Sequence, residues 1–306
     1  MTSQPTLTDG TVTLRPARSP DPSRLAFYVV LGQDQTIGTT TVVLTDPGTA
    51  ALGVDLSERA RGHGYSVRSL RMLVDWCLAA KRDDGLGLER VEAWIPENDE
   101  RALIVATRVG MRREGVRRRV RDGGEAPEGH VVLARLATDP PLTEPGAFRS
   151  LLNSFLPRKR AIAQMLVRSS EQGEPRVLMC QLTYKTDWDL PGGVVEVNES
   201  PRIAVAREVE EELSLTLDAG CLLLTDWLPP WNGWDDALCL VFDGGTIDPG
   251  DLDGLVLQAR EIRSVRLCTL AEVREHATDF TARRVEAALA GLRGEGPGYT
   301  ESGHAL

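Results

Sequence analysis

Three glutamates spaced to share one side of a helix, Glu208, Glu211 and Glu212, are the residues of this 306-residue chain best placed to do chemistry. At about 100° per residue, Val205, Val209 and Leu213 form an i, i+4, i+8 stripe suited to burial, and the three carboxylates fall on an adjacent arc of about 100°. Like charges at that spacing repel on a bare helix. A hard divalent cation reverses the sign, because it needs several oxygen ligands at once. Crowded carboxylates also raise at least one another's pKa, which supplies a general base. The elements that must position them are legible nearby. Ser200 and Pro201 read as the N-cap and first residue of the helix, with Glu199 just before it. Leu190 and Pro191 followed by Gly192 and Gly193 read as a tight strand-to-loop turn where a side chain would clash.

The spacing Gly193, Glu199, Arg207, Glu208, Val209, Glu211, Glu212, Leu215 resembles the signature box of the Nudix hydrolases. It departs at one position, where Ser214 replaces the Gly that normally lets the chain leave the helix in a left-handed conformation. The resemblance implies hydrolysis of the diphosphate bond in a small-molecule nucleoside diphosphate derivative. It implies Mg²⁺ (or Mn²⁺) held by Glu208, Glu211 and Glu212, and an Arg207–Glu199 pair holding the loop. Glu208, Glu211 and an accessory carboxylate, Glu261, are then the candidate catalytic residues. Glu261 stands before a strand-like run in Ala259-Arg260-Glu261-Ile262, where an exposed loop charge is the alternative. Pro229 and Pro230 lie 14 and 15 positions beyond Leu215, as in a subgroup that cleaves ADP-ribose, so ADP-ribose or a nucleotide sugar is the favoured substrate type. The upstream signature of the CoA-cleaving members is not visible before Gly192. Trp188 and Trp231 are candidate base-stacking residues, with Trp227 and Trp234 close by in sequence; packing in the interior is the alternative.

The first half carries a second resemblance. Thr11 to Pro16 and Gln35 to Leu44 read as strands, followed by Arg59-Ala60-Arg61-Gly62-His63-Gly64-Tyr65 and a helical stretch over 66–80 with Leu70, Leu73, Val74 and Cys77 on one face. A glycine-punctuated loop feeding a helix start offers free N–H groups to a pyrophosphate. Arg59, Gly62 and Gly64, then Asn98, then Val109-Gly110-Met111, resemble the acetyl-CoA loop and later elements of the GNAT N-acetyltransferases. That implies acetyl-CoA as a ligand of this half. The two helices that relatives place between their first two strands do not fit here: the short interval is broken by Pro20 and Pro22. No Tyr follows Asn98 closely enough to serve as an acid. A CoA-binding or scaffolding remnant is therefore expected rather than a working transferase. Arg117, Arg118, Arg119 and Arg121 read as a solvated strand edge, or as a grip on RNA or a CoA 3′-phosphate.

Length suggests two domains. The expected organisation is a shortened GNAT-like domain over 1–137, a Pro-rich linker over 138–149, a Nudix domain over 150–293 and a flexible Gly-rich tail over 294–306. The expected class is α/β (α+β), with a GNAT-like mixed sheet followed by a Nudix α/β/α sandwich. Residues 1–150 carry 20 Lys+Arg and 20 Asp+Glu, so the net charge of −10 sits entirely in residues 151–306, with 15 against 25. An acidic second half argues against general nucleic-acid binding and fits a cation-dependent site. Five scattered cysteines without a CxxC and four scattered histidines argue for reduced thiols, a cytoplasmic setting and no zinc site. No apolar run reaches membrane-spanning length, and no secretion signal is read at the start. A homodimer is the oligomeric state considered. Two rival functions remain open at this stage: an N-acetyltransferase acting through the first half, and a nucleotide sensor that does not hydrolyse.

Overall fold

The computed structural model describes residues 4–120 and 128–305. The chain divides into two compact units, Met1–Pro157 and Arg158–Leu306. In the first, strands β1 (Leu7–Thr8), β2 (Val12–Ala17), β3 (Arg24–Leu31), β4 (Gln35–Asp46), β5 (Thr49–Leu56), β6 (Arg90–Pro96), β7 (Arg112–Val120) and β8 (Glu128–Leu136) form one mixed sheet in the order β1-β2-β3-β4-β5-β6-β8-β7. Alternation of apolar residues drives it: Val12 and Leu14 of β2 and Phe27 and Val29 of β3 are fully buried. Helices α1 (Tyr65–Leu78), α2 (Glu100–Arg108) and α3 (Pro145–Phe155) complete the unit. Leu70, Leu73, Val74 and Cys77 of α1 are buried as the spacing predicts, and Trp76 joins them, edge-on to Phe27 at 5.5 Å. Residues 18–23 join β2 to β3 with no helix pair between them. β5 and β6 run parallel but pair only over 49–51 and 90–92, so their C-terminal portions separate where α1 begins.

The second unit is built on strands β9 (Arg160–Ser169), β10 (Arg176–Leu182), β11 (Trp188–Asp189), β12 (Gly192–Val194), β13 (Leu222–Leu228), β14 (Ala237–Ile247), β15 (Ile262–Thr269) and β16 (Tyr299–Glu301). They lie in the order β11-β10-β9-β14-β13-β16, with β12 on β9 and β15 on β10. Its helices are α4 (Pro201–Leu213), α5 (Leu270–His276) and α6 (Asp279–Leu292). Period-two burial splits β9 between two cores. Ala163, Met165 and Val167 pack with Val205, Val209 and Leu213 of α4, while Leu166 packs with Val285 and Ala288 of α6. Helices thus cover both faces of the sheet, in an α/β/α sandwich.

Two expected boundaries differ. The region over 138–149 is not a free linker: Pro145 starts α3, whose Ala147 and Leu151 are buried and whose Ser154 hydroxyl accepts the Arg113 N–H at 3.2 Å, so the second unit begins at Arg158. Composition hid this, because the proline-rich segment ends in a proline at N1, where it favours a helix. Residues 294–306, read as a flexible tail, instead supply β16. Thr300 is fully buried, and its hydroxyl and the Gly303 N–H both donate to buried Asp226, at 2.8 and 2.9 Å. A long-range carboxylate partner leaves no mark in the tail's own glycine-rich composition.

Candidate active site

α4 is fixed at both ends. The Ser200 hydroxyl accepts the Ile203 N–H at 3.4 Å, and Pro201 occupies the first turn. At the other end Ser214 takes the left-handed conformation, φ +52°, with its N–H on the Glu210 carbonyl at 2.8 Å. The strain expected of a non-glycine there is offset by its own hydroxyl, which donates to the Val256 carbonyl at 3.1 Å. The helix exit is therefore kept without the glycine.

β12 brings two glycines against the carboxylates. A Cβ on Gly192 (φ +133°) would sit 2.2 Å from the Ala163 carbonyl oxygen, and one on Gly193 would sit 2.5 Å from the Glu208 carboxyl carbon. Their absence lets β12 lie on β9 and lets Glu208 lie over Gly193. The Gly192 N–H donates to Glu212 at 3.2 Å. Arg207 ties the acidic side chains together. Its Nε and Nη2 donate to the two oxygens of Glu199 at 2.9 and 3.1 Å, its Nη2 lies 3.0 Å from Glu208, and its Nη1 reaches Glu211 at 3.0 Å. Hydrogen bonding from Arg207 lowers the Glu199 pKa.

Glu212 is only 5% exposed. Burial pushes its pKa up to about 8, the Gly192 N–H opposes that, and the charges of Glu208, Glu261 and Asp189 add to it. Glu208 is raised as well, by burial first, against Arg207 and with help from Glu211 and Glu261. Glu261 is exposed, yet it acts on both helix carboxylates, so the structure brings it to the same place. Among the described residues no three potential ligands already converge on one point. Glu208 and Glu211 both pair with Arg207. The donor set itself, carboxylate oxygens only, suits Mg²⁺ or Mn²⁺.

Gly192 and Gly193 also border a cavity of about 570 Å³ in this unit, which Pro229, Trp231, Trp234 and Phe280 border as well. Trp231 borders this cavity. Trp188 does not: it stacks on His276 at 5.3 Å, bridges to Ala277 and lies outside the cavity lining. The sequence reading missed Gln164, Asp226, Phe280 and Arg284. One signal was present, since Arg284 falls on the apolar stripe of α6 with Thr281, Val285 and Ala288, where a cation needs a buried partner.

In the first unit, Gly62 and Gly64 both have positive φ, +82° and +79°, with open space where a Cβ would be, and Gly64 caps α1. Arg59 is exposed on the short turn before them. A cavity of about 490 Å³ at the start of α1 is bordered by Gly64, Arg68, Arg71 and Arg108. Asn98 precedes α2, whose N-cap is Asp99, accepting the Ala102 N–H at 3.0 Å. Arg117 stacks over Trp94 at 5.2 Å and Arg118 is exposed, while Arg121 and the side chain of Arg119 lie outside the described residues.

With this geometry in place, comparison with known proteins is direct. The family model described as the NUDIX domain matches residues 158–289. The second unit is a NUDIX domain, joined to an N-terminal part that is similar to acetyltransferases of known structure. These include a spermidine N-acetyltransferase from Vibrio cholerae (14% identity over 39% of this chain and 68% of that one, TM-score 0.35). RimJ of Mycobacterium smegmatis, in complex with CoA-disulfide, is 24% identical over 43% of this chain and 60% of its own, with a TM-score of 0.35. A GNAT-family acetyltransferase from Bacillus anthracis is 20% identical over 37% and 66%, with a TM-score of 0.33. Likenesses of this degree carry no activity with them. No curated protein matches the chain.

Proposed function

We propose that the second unit hydrolyses the diphosphate bond of a nucleoside diphosphate derivative, with Mg²⁺ or Mn²⁺ held by Glu208, Glu211 and Glu212. The observation that carries this is the placement of Glu208 and Glu212 directly against Gly193 and Gly192, two glycines that also border a cavity large enough for a nucleoside. A bound cation supplies charge neutralisation for phosphate oxygens and a water of lowered pKa. The chain's own groups do the rest. Arg207 holds Glu199, Glu208 and Glu211 in one array, so the loop before α4 and the helix move as one piece. Gly192 and Gly193 let β12 lie close on β9 and let the Glu208 carboxylate lie over the strand. Exposed Glu261, or Glu208 or Glu211 of the helix, can accept the proton of the attacking water.

The first unit is proposed to bind acetyl-CoA at the opening between β5 and β6, where Gly62, Gly64 and the start of α1 present N–H groups. The absence of a helix pair between β2 and β3 removes one wall of an amine-acceptor site and supports binding without transfer. The test is product formation from ADP-ribose, nucleotide sugars, dinucleoside polyphosphates, NADH and CoA with Mg²⁺. Turnover that disappears in Glu211→Gln and Glu208→Gln supports the assignment. Full turnover in both variants, or none on the whole set by the folded wild-type chain, refutes it. Acetyl-CoA titration of the same protein tests the first unit.

A further inference from the structure

We infer that the aromatic end of the C-terminal cavity is a nucleobase subsite selecting bases with a carbonyl edge, read by Arg284. The inference rests on the nucleoside diphosphate reading above for its ligand class and goes on to name the base.

Two indoles are held out for stacking. Trp231 and Trp234 exchange backbone hydrogen bonds of 3.1 and 2.9 Å around Asn232 and Gly233, both at positive φ, +50° and +86°. That is a two-residue hairpin turn of the primed kind. It puts two directly opposed residues on one face of the ribbon. Both indoles border the cavity yet remain 53% and 58% exposed. Phe280 meets Trp231 edge-on at 5.7 Å, and Arg160 lies over Trp234 at 4.7 Å. Exposed indoles beside a cavity that is also bordered by Gly192 and Gly193, the glycines that contact Glu212 and Glu208, form a stacking platform for the base of a nucleotide held at those carboxylates.

The polar wall of the cavity then specifies the base. Arg284, 2% exposed, donates from Nε to Asp226 at 2.9 Å and from Nη1 to Gln164 at 3.0 Å, and its Nη2 has no partner. Arg160 Nε is likewise unpartnered. The acceptors on the same wall are taken. Gln164 Oε1 also accepts from the Cys239 thiol at 3.3 Å. Asp189 Oδ1 accepts from Gln164 Nε2 and the Leu190 N–H at 2.8 and 3.0 Å, and its Oδ2 accepts from Lys185 at 2.7 Å. The buried side-chain atoms that this wall leaves unpaired are donors, Arg284 Nη2 and Arg160 Nε. Burying such a donor unpaired is unfavourable, and a ligand acceptor removes the cost. Arg284 is already neutralised by Asp226, with Asp189 3.7 Å away, so the acceptor it suits is a neutral carbonyl rather than a phosphate. The O6 of guanine and the O4 of uracil offer that acceptor. The amino groups of adenine and cytosine would set donor against donor. A site whose buried donor is left unpaired rejects the wrong base.

The experiment measures binding of GMP, UMP, AMP and CMP to the full chain in EDTA by tryptophan fluorescence and calorimetry, so that no turnover enters. GMP or UMP, or both, should bind at least about tenfold more tightly than the amino-base counterpart, and which of the two leads identifies a purine or pyrimidine site. Trp234→Ala, at an exposed position, should weaken all binding alike. Arg284→Lys keeps a cation beside Asp226 but lacks the planar fork, and should bring the carbonyl-to-amino ratio towards one. If that variant does not fold, the wild-type ratio and Trp234→Ala still decide. Equal affinity for carbonyl and amino bases, no binding of any of the four, or unchanged binding in Trp234→Ala overturns the inference. A chain with the base preference but no hydrolysis fails only the hydrolase reading. Hydrolysis without base preference fails only this one.

Discussion

Replacing Glu212 by Gln should stabilise the cation-free protein at alkaline pH while removing hydrolysis. Glu212 is buried, accepts one N–H from Gly192, and faces Glu208, Glu261 and Asp189. Its pKa rises from the usual 4.5 to about 8, so the native state holds a proton that the unfolded chain releases earlier. The sign follows. Stability is full below pH 4.5, falls as the pH rises between about 4.5 and 8, and stays low above. At 1.36 kcal/mol per pH unit the loss is at most about 5 kcal/mol, and relaxation around the charge reduces it to roughly 2–4 kcal/mol. Gln keeps the shape and the acceptor for Gly192 but cannot ionise, so the variant lacks this pH dependence. In EDTA, urea unfolding of both proteins should give similar midpoints at pH 5 and a clear advantage for Glu212→Gln at pH 9. For a unit of this size the gain corresponds to roughly 5–15 °C in Tm. Adding Mg²⁺ should restore the wild type selectively, because a counter-charge favours the ionised form. Parallel pH curves for the two proteins, or a wild type that loses nothing between pH 5 and 9, would refute the argument.

Asp226→Asn should cost the second unit roughly 3–5 kcal/mol, since it leaves Arg284 buried without its counter-charge; calorimetry of the full chain reads it as a lowered transition. Removing residues 294–306 takes away β16 and two of the donors to Asp226, and should lower the same transition, whereas loss of a flexible tail would leave it unmoved. Ser214→Ala keeps the left-handed residue but loses the bond to Val256, and should cost about 0.5–1.5 kcal/mol by denaturant titration. Gly193→Ala puts a methyl group into the Glu208 carboxylate, which can swing aside. It should therefore lower kcat at least about tenfold with little change in Tm.

What the sequence made legible was local. The stripe of α4, its N-cap, the Arg207–Glu199 pair and the two glycines are specified by spacing within some twenty residues, and each stands where spacing put it. Ser214 shows the limit of a pattern read as a rule: the glycine position is defined by a backbone conformation, and a hydroxyl with a partner can hold that conformation too. The aromatic residues were harder, because one sequence neighbourhood offers several tryptophans and only the fold sorts them. Trp231 reaches the cavity by way of a hairpin tip, while Trp188 leaves β10's neighbour strand on the side of His276. The tail was misread for a related reason, since its order comes from Asp226, about 75 residues away in sequence.

The buried network around Arg284 joins these observations. Asp226 holds Arg284 from β13, Gln164 holds it from β9, and Thr300 and Gly303 hold Asp226 from the C-terminal segment. Arg284, whose Nη2 is left unpaired, is thus fixed by three separate elements, none of which lies in the helix that carries the carboxylates. A chain can therefore keep the proposed hydrolytic array of α4 unchanged while altering the cavity wall through β9, β13, α6 or the C-terminal strand. Such a division predicts that changes in this network alter which nucleotide binds, through KM, whereas changes at Glu208, Glu211 or Glu212 alter kcat. Steady-state kinetics on Arg284→Lys and Glu208→Gln with the same substrate separates the two, and a Glu208→Gln effect confined to KM would show that the division does not hold.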